Sequence, residues 1–217
     1  MLRVGIIGLG GMGKGRLRYY QQIPEARVEA VADVRAADLR QDDRLNPLWE
    51  IPADQVRWFE DYRQMVAANV VDVVDICLPT GYHRDAVVTA LEGGVHALCE
   101  KPMGLSLADC DAMVDAQRRS GKLLMVAHCI RFWPEYEYLM DMVRSGESGR
   151  LLSLQLVRQG AAPRDEHWMS QAALSGGAIL DLHIHDLDFC QYVLGLPDHV
   201  YAQGGQSMGS QRGYDYV

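Results

Sequence analysis

Gly8, Gly10 and Gly13 fit the spacing G-x-G-x-x-G, directly after the apolar run 2–7 and directly before a helix-forming stretch, 12–22. Each glycine meets a separate demand. The first allows a tight turn, the second lets a pyrophosphate reach the backbone, and the third lets helix pack on strand. Phosphates then sit at a helix N-terminus, where unpaired N–H groups and the helix dipole favour anions. Gly11 and Met12 complete the turn. Twenty residues past Gly13, after a second apolar run (27–32), comes Asp33, followed by Val34 and Arg35. A carboxylate there accepts hydrogen bonds from an adenosine ribose and repels a 2′-phosphate. NAD is therefore expected ahead of NADP, with Arg35 keeping NADP open. Strand, glycines, helix, strand and acid in this register predict a dinucleotide site.

Three further groups carry chemistry. Glu100-Lys101-Pro102 follows the short apolar run 95–99. Ligands of open α/β sheets bind at the carboxyl ends of strands, so Lys101 points towards a cofactor crevice, and Pro102 restricts its backbone to extended conformations. An ordinary exposed loop lysine is the plainer alternative. Asp181 and His185 are four apart on an expected helix, sharing a face that Asp188 continues. A carboxylate one turn from an imidazole fixes its tautomer and holds it as a general base. A surface Asp–His pair without a role has the same spacing. Leu187, Cys190, Val193 and Leu194 form the opposite stripe and are expected to face the core. Leu78-Pro79-Thr80 ends another strand. Thr80 can line the crevice, and His83 either joins it there or caps the helix that follows.

The elements that position these groups alternate. Beyond the opening unit, strands are predicted over 56–59, 70–77, 95–99 and 123–127, and helices over 61–68, 84–92 and 107–120. Ser106 caps the last of these and Gly121 closes it. Region 36–52 has no clear pattern. Alternation up to about residue 128 implies a parallel sheet with crossover helices. Thereafter the character changes to α+β: a helix over 135–145, a β-type run over 151–159, a polar loop over 160–171 containing Trp168, a helix closing at Gly195, and a strand over 200–204. Arg131 is read as an anchor between the two parts and Trp133 as hinge packing.

Bulk properties exclude several classes. The chain has 217 residues, a net charge of −8 and no basic run, so nucleic acid is not an expected partner. Hydrophobic residues make up 48% and charged residues 23%, the balance of a soluble globular protein. No apolar run reaches the roughly 18 residues that span a bilayer, and the N-terminus lacks a small-residue cleavage site. The five cysteines suggest reduced, buried thiols and a cytoplasmic location. His183-x-His185 invites a metal reading, alone or with His128. Residues two apart on a helix face apart, and no zinc-like spacing completes the set, so no metal is expected.

Taken together, these motifs resemble the Gfo/Idh/MocA oxidoreductases, the family of glucose–fructose oxidoreductase and inositol dehydrogenase. The likeness rests on Gly8-x-Gly10-x-x-Gly13, Pro79-Thr80-x-x-His83, Glu100-Lys101-Pro102, the stretch from His128 through Arg131 to Tyr136, and Gly176-Gly177 with Asp181, His185 and Asp188. The resemblance implies a doubly wound Rossmann domain over 1–128 and an open-faced α+β substrate and oligomerisation domain over 129–217. It places nicotinamide and a polyol or sugar between them. It assigns Lys101, Asp181 and His185 as the catalytic set, with Trp168 on the substrate side. Leu78, Pro79, Thr80, His83, Glu100 and Arg131 join the glycine turn around NAD(P). It also implies a cis Lys101–Pro102 bond. His183 departs from a glycine common among relatives, and relatives are longer, so a C-terminally shortened, incomplete second sheet with exposed edges is expected. The activity implied is hydride transfer between a secondary alcohol and nicotinamide, in a homo-oligomer where the sheet is whole. A dinucleotide-binding protein without turnover is the alternative.

Overall fold

In a computed structural model, described for residues 1–41, 55–160, 163–164 and 166–205, the chain divides into Met1–Ala127 and His128–Val217. The first unit runs β1 (Leu2–Ile7), α1 (Gly11–Tyr20), β2 (Ala26–Ala32), α2 (Ala36–Arg40), β3 (Arg57–Phe59), α3 (Tyr62–Ala67), β4 (Val73–Ile76), α4 (His83–Glu92), β5 (His96–Cys99), α5 (Leu107–Ser120) and β6 (Leu124–Val126). Six parallel strands form one sheet in the order β3-β2-β1-β4-β5-β6. This is the doubly wound order, whose switch point lies between β1 and β4.

Both faces of the sheet are buried. Val4 and Ile6 of β1 pack with Leu17 of α1, Val28, Val31 and Leu39 on one side. Ile7 packs on the other side with Met65, Val74, Val87, Leu91 and Met113, beneath α3, α4 and α5. Local signals end the helices. Asp61 accepts from the Arg63 N–H at the start of α3, and Ser106 accepts from the Asp109 N–H at the start of α5. Gly121 closes α5 in the left-handed region. Within 36–52, α2 is present and residues 42–54 lie outside the described residues.

The second unit contains a 3-10 turn (Cys129–Phe132), α6 (Pro134–Ser145), a second 3-10 turn (Trp168–Ser170) and α7 (Ala172–Ser175). A π-helical stretch (Ile179–His183) then continues into α8 (Ile184–Leu194). Two expected strands do not form. Over 151–159 the exposure alternates, with Leu154, Leu156 and Arg158 half-buried and their neighbours exposed. The period is that of a strand, but no partner pairs with it among the described residues, and a strand needs that ladder. Residues 200–204 likewise carry no ladder, and the tail 206–217 lies outside the described residues.

Around α8 the expected core stripe is only partly inward, with Cys190 and Val193 half-buried. Leu187 and Leu194 are exposed, whereas Asp188 and Phe189 are buried. Two arginines neutralise the acids of α8. Arg131 forks onto Asp188, and Arg158 forks onto Asp186 through Nε and Nη2, both at 2.8 Å.

Candidate active site

The glycine turn joins β1 to α1 at the switch point. Gly8 has φ +91°, and a Cβ there would lie 2.9 Å from the Cys77 carbonyl oxygen. At Gly13 a Cβ would sit 1.9 Å from the Gly8 carbonyl oxygen, so only glycine lets α1 approach the turn this closely. At Gly10 and Gly11 a Cβ would meet nothing within 4 Å. The turn is tight on its protein side and open on its outer side. No side chain caps α1, and its first turn holds no acid. Its leading N–H groups therefore suit an anion.

Asp33 follows β2 and is tied into the same turn. Its Oδ2 accepts from the Leu9 N–H at 2.8 Å, and its Oδ1 accepts from the Arg35 N–H at 2.9 Å. Each carboxylate oxygen keeps a lone pair for a sugar hydroxyl. The Arg35 guanidinium lies 3.6 Å from Asp33, and Val34 is 86% exposed. After β4, Leu78 and Pro79 lead into a 3-10 turn over Thr80–Tyr82. Thr80 is buried, and its hydroxyl has no hydrogen-bond partner among the described residues. These features fit a dinucleotide: a phosphate-sized opening at a helix start, an acid for the ribose and an orphaned hydroxyl further along the same sheet edge.

Glu100 and Lys101 leave β5 at that edge, and the Lys101–Pro102 bond is cis. Glu100 is buried and divides its carboxylate. Oε1 accepts from Arg16 Nη2 at 2.6 Å, and Oε2 accepts from the Lys101 backbone N–H at 3.2 Å. Arg16, on α1, also pairs with the fully buried Asp75 of β4 (Nε to Oδ2, 3.5 Å), which accepts from the Tyr20 hydroxyl at 3.0 Å. Burial opposes the charge on Arg16, but Asp75 and Glu100 outweigh it and raise its pKa. Burial raises the Asp75 pKa against the pull of Arg16 and Tyr20. Burial likewise raises the thiol pKa of Cys77 and of Cys99, and none of the five cysteines is in a disulfide.

His83 does not cap α4. Its imidazole is buried, with Nδ1 2.9 Å from the Pro102 carbonyl oxygen and Nε2 2.8 Å from that of Leu78. Burial lowers its pKa, and the two carbonyls act against that. With its ring nitrogens beside these two carbonyls, the side chain ties the Leu78 and Pro102 loops together.

In the second unit Asp181 is buried and His185 half-buried, and they lie on successive turns where the π-helical stretch meets α8. A π turn takes more than four residues, which keeps positions four apart on one face. His183 Nδ1 lies 3.8 Å from Asp186 and His128 Nδ1 3.6 Å from Asp188. Arg131, expected to anchor the two parts, is engaged within its own unit by Asp188, with its guanidinium 4.3 Å above the Tyr192 ring. Trp168 opens the 3-10 turn and is half-buried, with His167 tilted beside it. Arg16, Asp75 and Tyr20 were missed from sequence. The available signal was Asp75, an acid inside a buried apolar strand.

Comparison with known proteins gives a consistent picture. Residues 2–128 match the family model described as an oxidoreductase family with an NAD-binding Rossmann fold, and residues 136–217 match the model of the GFO/IDH/MocA C-terminal domain. The chain is 29% identical over 204 residues to myo-inositol 2-dehydrogenase of Thermotoga maritima, covering 94% of this chain and 58% of that protein. It is 31% identical over 216 residues to D-glucoside 3-dehydrogenase of Escherichia coli, covering 97% and 60% respectively. Among solved structures, levoglucosan dehydrogenase in complex with NADH and L-sorbose superposes with a TM-score of 0.75 at 28% identity, covering 90% of this chain and 53% of that one. The chain thus spans little more than half the length of these relatives.

Proposed function

Since this chain belongs to the Gfo/Idh/MocA oxidoreductase family, we propose that it serves an NAD-dependent dehydrogenase acting on a secondary alcohol of a sugar or cyclitol. One observation carries the reading. The glycine turn, Asp33, Thr80 and Lys101 all issue from the carboxyl ends of parallel strands, at and beside the switch point of one sheet. The relatives named for inositol and glucoside oxidation support the substrate class.

The glycine turn and the start of α1 hold the pyrophosphate, Asp33 holds the adenosine ribose with Val34 and Arg35 beside it, and the Leu78–Thr80 turn lines the far end. Bound NAD supplies the hydride acceptor. Asp33 disfavours a 2′-phosphate, so NAD is preferred to NADP. The protein's own part is position and proton traffic. Lys101 hydrogen-bonds the reacting oxygen and stabilises its developing negative charge. His185 takes the hydroxyl proton as general base, and Asp181 holds the imidazole and stabilises its charged form. Trp168 lines the substrate side.

The test is NAD-dependent absorbance change across a panel of polyols and glycosides, with Lys101→Ala and His185→Ala beside the wild type. Turnover that falls about a hundredfold or more in both variants supports the roles. Full rate in both on a good substrate refutes them, and NADH binding without turnover on any substrate favours a binding protein.

A further inference from the structure

We propose that Arg16 and His83 are positioning residues that clamp the backbone on either side of Lys101, at the Lys101 N–H and one residue on at the Pro102 carbonyl, fixing the ammonium relative to the dinucleotide turn. This rests on Lys101 being the catalytic lysine proposed above.

The clamp has two jaws. On the N-terminal side, Glu100 Oε2 accepts from the Lys101 N–H, and Arg16 Nη2 holds Glu100 Oε1. Arg16 is a residue of α1, the helix that begins at the glycine turn, and Asp75 and Tyr20 brace it from behind. On the C-terminal side, His83 spans from the Pro102 carbonyl oxygen to that of Leu78, the residue leading into the Thr80 turn. Lys101 is thereby tied to two of the elements expected to hold the cofactor: α1, through its middle, and the 78–80 turn.

The residue types suit the task. A guanidinium has donors in a rigid fork, so Arg16 reaches Asp75 and Glu100 together, which a lysine ammonium does less well. An imidazole is flat and carries a nitrogen on each side, so one ring reaches both carbonyls, and the neutral form that burial favours donates to one of them. Arg16, Asp75, Glu100 and His83 are wholly or largely buried, where such contacts are strong and their loss is costly. A long, flexible lysine loses reach and direction when its backbone shifts. A displacement of about 1 Å at a reacting group can cost a hundredfold in rate.

The chain has only three lysines, Lys14, Lys101 and Lys122, which makes the proposal readable without turnover. Reductive methylation with a ¹³C label gives each a separate NMR signal, beside that of the N-terminal amine. The full chain and its His83→Gln and Arg16→Gln variants are labelled, checked for folding by circular dichroism, and titrated with base. In either variant the Lys101 signal is expected to shift and its titration midpoint to move, while Lys122 stays in place. NADH affinity is retained, and where turnover is measurable kcat falls about a hundredfold with little change in KM. A variant that does not fold leaves the other to decide. An unchanged Lys101 signal and midpoint in a folded variant overturns the clamp. A moved Lys101 signal in a chain that binds NADH but turns over nothing supports the clamp and counts against the dehydrogenase reading.

Discussion

The backbone N–H of Leu9 donates to Oδ2 of Asp33 at 2.8 Å, so the acid after β2 is part of the glycine turn. Its charge and its hydrogen bond are separable. In Asp33→Asn the amide oxygen still accepts from Leu9, while the bond from the Arg35 N–H and the negative charge are both lost. The ratio of NADPH to NADH affinity should rise about tenfold, equivalent to 1.4 kcal/mol, as read by fluorescence titration. An unchanged ratio removes Asp33 from cofactor selection.

Glycines in α1 should diverge in their response to alanine. At Gly13 the new Cβ would lie 1.9 Å from the Gly8 carbonyl oxygen, and backbone must move. A loss of about 1–3 kcal/mol is expected from such overpacking. At Gly15, where a Cβ meets nothing within 4 Å, alanine should add roughly 0.5–1 kcal/mol through helix propensity. Urea denaturation of the two variants checks both signs.

The Arg131–Asp188 pair is a structural joint of the second unit. Arg131→Ala leaves Asp188, which is 9% exposed, without its forked partner. Because Arg131 itself is one third exposed, the expected loss is about 2 kcal/mol, below the range for a fully buried pair. Asp188→Asn combined with Arg131→Ala should cost less than the sum of the single changes. Additive losses in thermal melts would show that the pair is not coupled.

Acid sensitivity should have a contribution from Asp72. Hydrogen bonds from the Arg3 side chain and then its backbone N–H hold the Asp72 carboxyl below its ordinary pKa. A lowered folded-state value means that stabilisation is present above the unfolded pKa of about 3.9. It is lost as pH falls through the folded value. Asp72→Asn should therefore melt below wild type at pH 7, and the gap should close in acid. A gap that persists or widens on acidification contradicts this.

Much of the first unit was legible because its signals are local. The glycine turn, the Ser106 cap and Gly121 each act within a few residues, Asp33 falls at a fixed spacing after the turn although it meets Leu9 24 positions away, and α5 spans the expected 107–120. The strand expected over 70–77 is narrower, Val73–Ile76, with Asp72 and Cys77 still bonded to β1 through their N–H groups, since the apolar run continues past the ladder. The Arg16–Asp75–Glu100 cluster was illegible because its members lie on separate elements and meet only once the sheet is ordered. The second unit misled for a different reason. The β-type run over 151–159 carries no sign of its partner, and the inward turn of Asp188 depends on Arg131, 57 positions away.

Cofactor binding by the folded chain is the most direct measurement, made by titrating NADH and NADPH in parallel with a Gly13→Val control. Saturable NADH binding, tighter than NADPH and absent in the control, is the expected result. A folded chain that ignores both nucleotides at millimolar concentration contradicts the assignment at its root.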